Sequence, residues 1–126
     1  MRREIFLDTI RSLIGTPYKH NGCSVHGVDC GNLVLLAYKL NGWQLPAAFD
    51  LRDNQLVDYL CANFIAAPNP QPGDILLMRI RSQPEHIAVL DTDDHMIHVT
   101  QTTNRVERAH ISRLWRCRIM GAFTHV

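Results

Sequence analysis

The chain of 126 residues is 46% hydrophobic and 20% charged, with a formal net charge of +1 at pH 7, the composition of an ordinary folded domain with a sizeable core. That balance excludes an electrostatic binder of nucleic acid, which would carry a basic stripe, and no run approaches the ~20 apolar residues of a membrane span. Four cysteines with no CxxC pair (Cys23, Cys30, Cys61 and Cys117) read as free thiols rather than a disulfide framework.

The N-terminal stretch MRREIFLDTIRSLIG lacks a signal's apolar core, because Asp8 and Arg11 interrupt it, so the chain is expected to be made in the cytoplasm. Residues 2 to 14 place Ile5, Phe6, Ile10, Leu13 and Ile14 at helical spacing, with Gly15 as the stop. GTPYKHNGCSVHGVD, residues 15 to 29, is rich in turn formers and reads as an irregular loop. A helix follows from Cys30 to Leu40, with Asp29 as N-cap, Gly42 as the stop, and Leu33, Val34, Leu36, Ala37 and Leu40 on its apolar face. A third helix is predicted from Leu51 to Asn63, capped by Asp50, with Cys61 buried and inert between Leu60 and Phe64.

After the breaker PNPQPGD, residues 68 to 74, the pattern changes to short strand-like runs. These are DILLMRI, EHIAVLD, HMIHVT, RVERAHI and the terminal RCRIMGAFTHV. Helices first and strands second predict an α+β fold, N-terminal helices packed on a mostly antiparallel sheet. With no repeat or linker in sight, residues 1–126 read as a single domain.

Cys30 stands where a loop enters a helix, a place where free N–H groups and the helix dipole lower a thiol pKa. It can be a nucleophile, a metal ligand or a small packed residue. A nucleophile needs a base in reach, and the base needs a third group to hold its tautomer. His86 and His98 lie in predicted strands that flank TDD, residues 92 to 94. A three-residue loop there sets Asp91 opposite His95, Leu90 opposite Met96 and Ala88 opposite His98, with His86 diagonal to His98 on one face. A two-residue loop would put the two histidines on opposite faces. A zinc site of Cys30, His86 and His98 lacks the close-spaced ligand pairs of most structural motifs.

These motifs resemble the NlpC/P60 cysteine peptidases of bacteria and phages. GTPYKHNG…GVDCGNLV is similar to the family's G-x-P-Y, Gly-rich loop and D-C-S-G-L-V; PGDILLM resembles P-G-D-L-x-F, HIAVL resembles H-V-G-I-Y, and MIHVTQ resembles the next strand. The resemblance implies a papain-like α+β fold that hydrolyses amide bonds of peptidoglycan stem peptides, commonly after D-glutamate, without metal or cofactor. It implies Cys30 as nucleophile, His86 as general base and His98 as the group that orients it. Tyr18 matches a tyrosine near the reacting centre, and Asp29 a residue that positions the substrate's polar end.

The family's usual Ser-Gly after the cysteine is Gly31-Asn32 here, and its Gly two residues after the histidine is Ala88. PGDILLMRIRSQPEHIAVL…MIHV looks most like the phage-type branch, which implies phage-tail proteins as partners and incorporation into a phage or phage-like particle. The alternative is a tail-assembly adaptor that keeps the peptidase fold with little or no hydrolysis.

Overall fold

Among the described residues three helices precede the main sheet, as the change of hydrophobic period predicts. The computed structural model describes residues 2–44, 56–80 and 83–126, with the backbone alone for 83–85. Helix α1 spans Arg2–Ser12, α2 Cys30–Leu40 and α3 Leu56–Asn63. In α1 the inward stripe is Phe6, Leu7 and Ile10, while Ile5 faces solvent. Asp29 caps α2 as predicted: its Oδ1 accepts from the Asn32 N–H at 2.9 Å and its Oδ2 from the Asn21 N–H at 3.0 Å. Asn41 forms the C-cap of α2, and Gly42 follows at φ +71°.

The predicted start of the third helix and its Asp50 cap lie outside the described residues. Within α3 the expectation for Cys61 is corrected. Leu56, Tyr59, Leu60 and Asn63 form the buried stripe at helical spacing, which leaves Cys61 on the exposed side.

The Gly-rich loop is more ordered than its composition predicts. Strands β1 (Cys23–Ser24) and β2 (Gly27–Val28) pair antiparallel within it. Backbone bonds then stitch it to the far end of the chain: Gly15 N–H to Val106 O at 2.8 Å and Tyr18 N–H to Asn104 O at 2.9 Å.

Six further strands make the main sheet: β3 (Ile65–Ala66), β4 (Ile75–Ile80), β5 (Gln83–Thr92), β6 (His95–His98), β7 (Glu107–His110) and β8 (Ile119–Thr124). Their order is β3-β8-β4-β5-β6-β7, antiparallel at every pairing. The terminal run RCRIMGAFTHV is only partly a strand. Its first residues complete a short helix α4 (Arg113–Arg118), which Ser112 caps by accepting the Trp115 N–H.

Residues alternate across the sheet and separate two cores. Ile75, Leu77, Ile87, Val89 and Ile97 face α1, α2 and α3, together with Leu33, Val34 and Phe6. Leu76, Met78, Ala88, Leu90 and Met96 face the other way, under Trp115 and Ile119. The PGD turn locks the entry to β4. Gly73 sits at φ +95°, and a Cβ there would lie 2.6 Å from both the Arg3 carbonyl oxygen and Arg3 Cγ. His125 Nε2–H donates to Gly73 O at 2.8 Å, which leaves Nδ1 to accept from the Tyr38 hydroxyl at 2.5 Å. No helix among the described residues is long and apolar enough to cross a membrane.

Candidate active site

The β5–β6 hairpin places the two histidines. Val89 faces Ile97 and Leu90 faces Met96, the predicted register. The turn differs. Only Asp93 and Asp94 lie between the strands, and Thr92 rather than Asp91 faces His95. A two-residue turn alone would separate the histidines onto opposite faces, but a bulge between Leu90 and Thr92 adds the missing residue, Asp91. His86 and His98 therefore share the α4 side of the sheet. Their rings meet edge to face with centroids 5.0 Å apart, and His86 Nε2 lies 2.8 Å from His98 Nδ1.

Both imidazoles are 2% exposed. Burial, reinforced by the facing His98, drives the His86 pKa down to about 3; burial alone takes His98 to about 4. Trp115 closes the pair from above. Its ring centroid stands 5.4 Å from that of His98 and 6.3 Å from that of His86, with the Arg118 guanidinium 5.3 Å from the Trp115 ring centroid. This contact depends on α4, a short helix inside a run whose pattern reads as strand.

Cys30 approaches from the helix side, where it packs on the larger core. Its sulfur meets the backbone N–H of Ile87, the residue after His86, and the N–H groups of Gly31 and of Cys30 itself. Among the described residues no hydrogen bond joins this sulfur to either imidazole. The thiol pKa is not lowered as its place at a helix start predicts. Burial, with a smaller push from the Asp29 carboxylate, raises it to about 11 and outweighs the three N–H groups. The resting pair is thus a neutral thiol and a neutral imidazole.

Tyr18 is half-buried beside this thiol. Its own pKa is raised, first by burial and then by Asp29 and Cys30. The structure thus gathers Tyr18 and Asp29 around Cys30 and joins His86 to His98, with the Ile87 N–H of β5 linking the sulfur to the strand that carries His86. Among the described residues no group of three or more His, Cys, Asp or Glu side chains is arranged to hold a metal ion.

Helices laid against one face of an antiparallel sheet, a cysteine at a helix start and a histidine pair on the central strands define the class: an α+β domain of the papain-like kind. The NlpC/P60 family profile matches residues 15–124, and the chain belongs to that family. It is 32% identical over 104 residues to dipeptidyl-peptidase 6 of Lysinibacillus sphaericus, covering 82% of this chain and 35% of that protein. Among solved structures, an NlpC/P60 family protein from Bacillus cereus superposes with a TM-score of 0.77 at 23% identity, covering 98% of this chain and 40% of that one. The peptidoglycan hydrolase RipB of Mycobacterium tuberculosis superposes with a TM-score of 0.69 at 17% identity, covering 98% of this chain and 63% of that one. The chain therefore spans about a third of the length of the curated relative and two fifths of the first structure.

Proposed function

We propose that this chain is a cysteine peptidase that cleaves amide bonds in peptidoglycan stem peptides, with Cys30 as nucleophile, His86 as general base and His98 as the group orienting it. The observation that carries the proposal is the buried His86–His98 bond on the strand whose next N–H holds the Cys30 sulfur. A peptidase and a peptidoglycan hydrolase among the similar proteins support the choice of substrate.

The tautomer follows from the geometry. When His86 Nε2–H donates to His98 Nδ1, the His86 Nδ1 lone pair stays free to take a proton. The Cys30 S–H passes its proton to that nitrogen as sulfur attacks the carbonyl carbon. N–H groups at the start of α2 donate to the developing oxyanion. Collapse breaks the C–N bond, and His86 returns the proton to the leaving amine. Water, deprotonated by the same nitrogen, then hydrolyses the thioester and restores the thiol. Because thiol and imidazole rest neutral, charge separates only as the bond forms. Tyr18 and Asp29, both beside the thiol, are the groups to receive the polar end of the substrate.

Digestion of purified peptidoglycan and of synthetic stem peptides, read by mass spectrometry, tests this. Wild type releases fragments and Cys30→Ala and His86→Ala do not. Equal release by Cys30→Ala sinks the proposal, and no release by any form leaves the adaptor role. The finer assignment to a phage-type member that works with tail proteins rests on the run PGDILLMRIRSQPEHIAVL…MIHV; detection of the chain in purified particles is its test.

A further inference from the structure

The residue that aligns the two histidines is not itself near their bond. Without the bulge, the pairing of Thr92 with His95 would continue along the hairpin, set His98 opposite Val89, and turn it toward the helices. Asp91 is the inserted residue, and it is 3% exposed. Each of its carboxylate oxygens is held by one arginine: Oδ1 by Arg11 Nε at 2.7 Å and Oδ2 by Arg108 Nε at 2.5 Å. Arg11 belongs to α1, 80 residues away. Arg108 belongs to β7, directly opposite Ile97, the neighbour of His98. The carboxylate thus fastens the bulge to a helix on one side and to the strand that flanks His98 on the other.

We propose that Asp91 is a positioning residue: gripped by Arg11 and Arg108, it holds the bulge that puts His98 on the same face as His86. The inference rests on the proposed roles of His86 and His98. A bulge leaves its extra residue without a partner in the ladder, so contacts of its side chain can fix where it sits. An inward carboxylate with two charged donors does so, since slipping the register would carry a charge away from both partners.

The test uses the full chain with Asp91→Asn, which keeps the shape and removes the charge, and Arg108→Gln, which removes one arm and leaves Asp91 in place. Asp91→Glu serves as the conservative variant, and Leu7→Ala, in the helix-side core, as a comparator for general destabilisation. Histidine-ring 1H–15N spectra report tautomer and the His86–His98 contact whether or not the chain hydrolyses anything. Kinetics of Cys30-dependent release report the reaction.

Asp91→Asn and Arg108→Gln are expected to shift the ring signals of both histidines. They should lower kcat roughly 10- to 100-fold, the size of effect of a misplaced catalytic group, with KM changed less than about twofold. Asp91→Glu recovers part of the kcat, and Leu7→Ala leaves the ring signals in place. If Asp91→Asn does not fold, Arg108→Gln decides. Wild-type ring signals and kcat in the folded variants overturn the inference. A wild type with no Cys30-dependent release overturns the proposed function instead, while the ring spectra still judge the alignment.

Discussion

His86 Nε2 lies 2.8 Å from His98 Nδ1 inside a pocket closed by Trp115. One ring must donate and the other accept, so the bond selects a tautomer for both. Two neutral rings suit this arrangement; a second proton on the pair would face its neighbour's charge without solvent to screen it. Two measurable quantities, hydrolytic rate and acid stability, depend on it.

Removing His98 frees the His86 ring to rotate and to exchange tautomers. His98→Ala is expected to lower kcat about 10²- to 10⁴-fold with KM little changed. His98→Gln keeps an acceptor in place and should retain more of the rate. Steady-state kinetics on a defined stem peptide check both, and an undiminished kcat in His98→Ala removes His98 from the reaction.

Alkylation of Cys30 by iodoacetamide follows the thiolate. With the thiol raised to about 11, labelling should climb continuously from pH 7 past pH 9 and show no plateau in the neutral range. Asp29→Asn keeps the side-chain oxygen that caps α2 but removes a charge that pushes the thiol up. The labelling curve should therefore move to lower pH. A flat, fast rate from pH 5 to 8 in wild type would instead mean a preformed thiolate–imidazolium pair.

Acid stability carries the opposite sign. The two histidines have folded pKa values of about 3 and about 4, below an ordinary value of 6.5. The unfolded chain takes up their protons first as pH falls, so their stabilising contribution is complete above about pH 6.5 and is lost progressively toward pH 3. Two such groups give a slope approaching about 3 kcal/mol per pH unit between those limits. Chemical denaturation at stepped pH measures it, and the double variant His86→Gln/His98→Gln should flatten the curve.

Gly73→Ala combines a left-handed backbone with a Cβ driven against the Arg3 carbonyl. The loss should be at least about 1–3 kcal/mol, because α1 or the turn has to move. Gly42, at φ +71° with open space around it, offers the contrast. Gly42→Asn is expected to cost no more than a few tenths of that, as Asn tolerates this conformation. Thermal unfolding of the two variants separates clash from conformational strain.

Much of the scaffold is legible in local pattern. Asp29, the apolar stripe from Leu33 to Ala37 and the Leu90–Met96 pairing are set by neighbours in sequence, and the structure has them where periodicity predicts. The Asp91 bulge is not legible, because the arginine that holds its Oδ1 lies in α1 and nothing in DTDDH marks an inserted residue. The thiol's direction of shift escapes for a related reason: a helix start is visible in GVDC, but the burial that outweighs it comes from elements far along the chain. Helix α4 is six residues long, too short for periodicity to separate it from a strand, so the contact of Trp115 with the two histidines is not legible there.

Strand β5 carries the base and, one residue on, a backbone N–H that holds the nucleophile's sulfur. Cys30 and its surroundings belong to the helix-side core, whereas His86 and His98 belong with Met78, Ala88 and Met96 beneath Trp115. Trp115 of α4 packs on the imidazoles, whereas α2 and the Gly-rich loop surround the sulfur. Proton affinity and thiol environment are thus tuned by different neighbours, and β5 brings the two together.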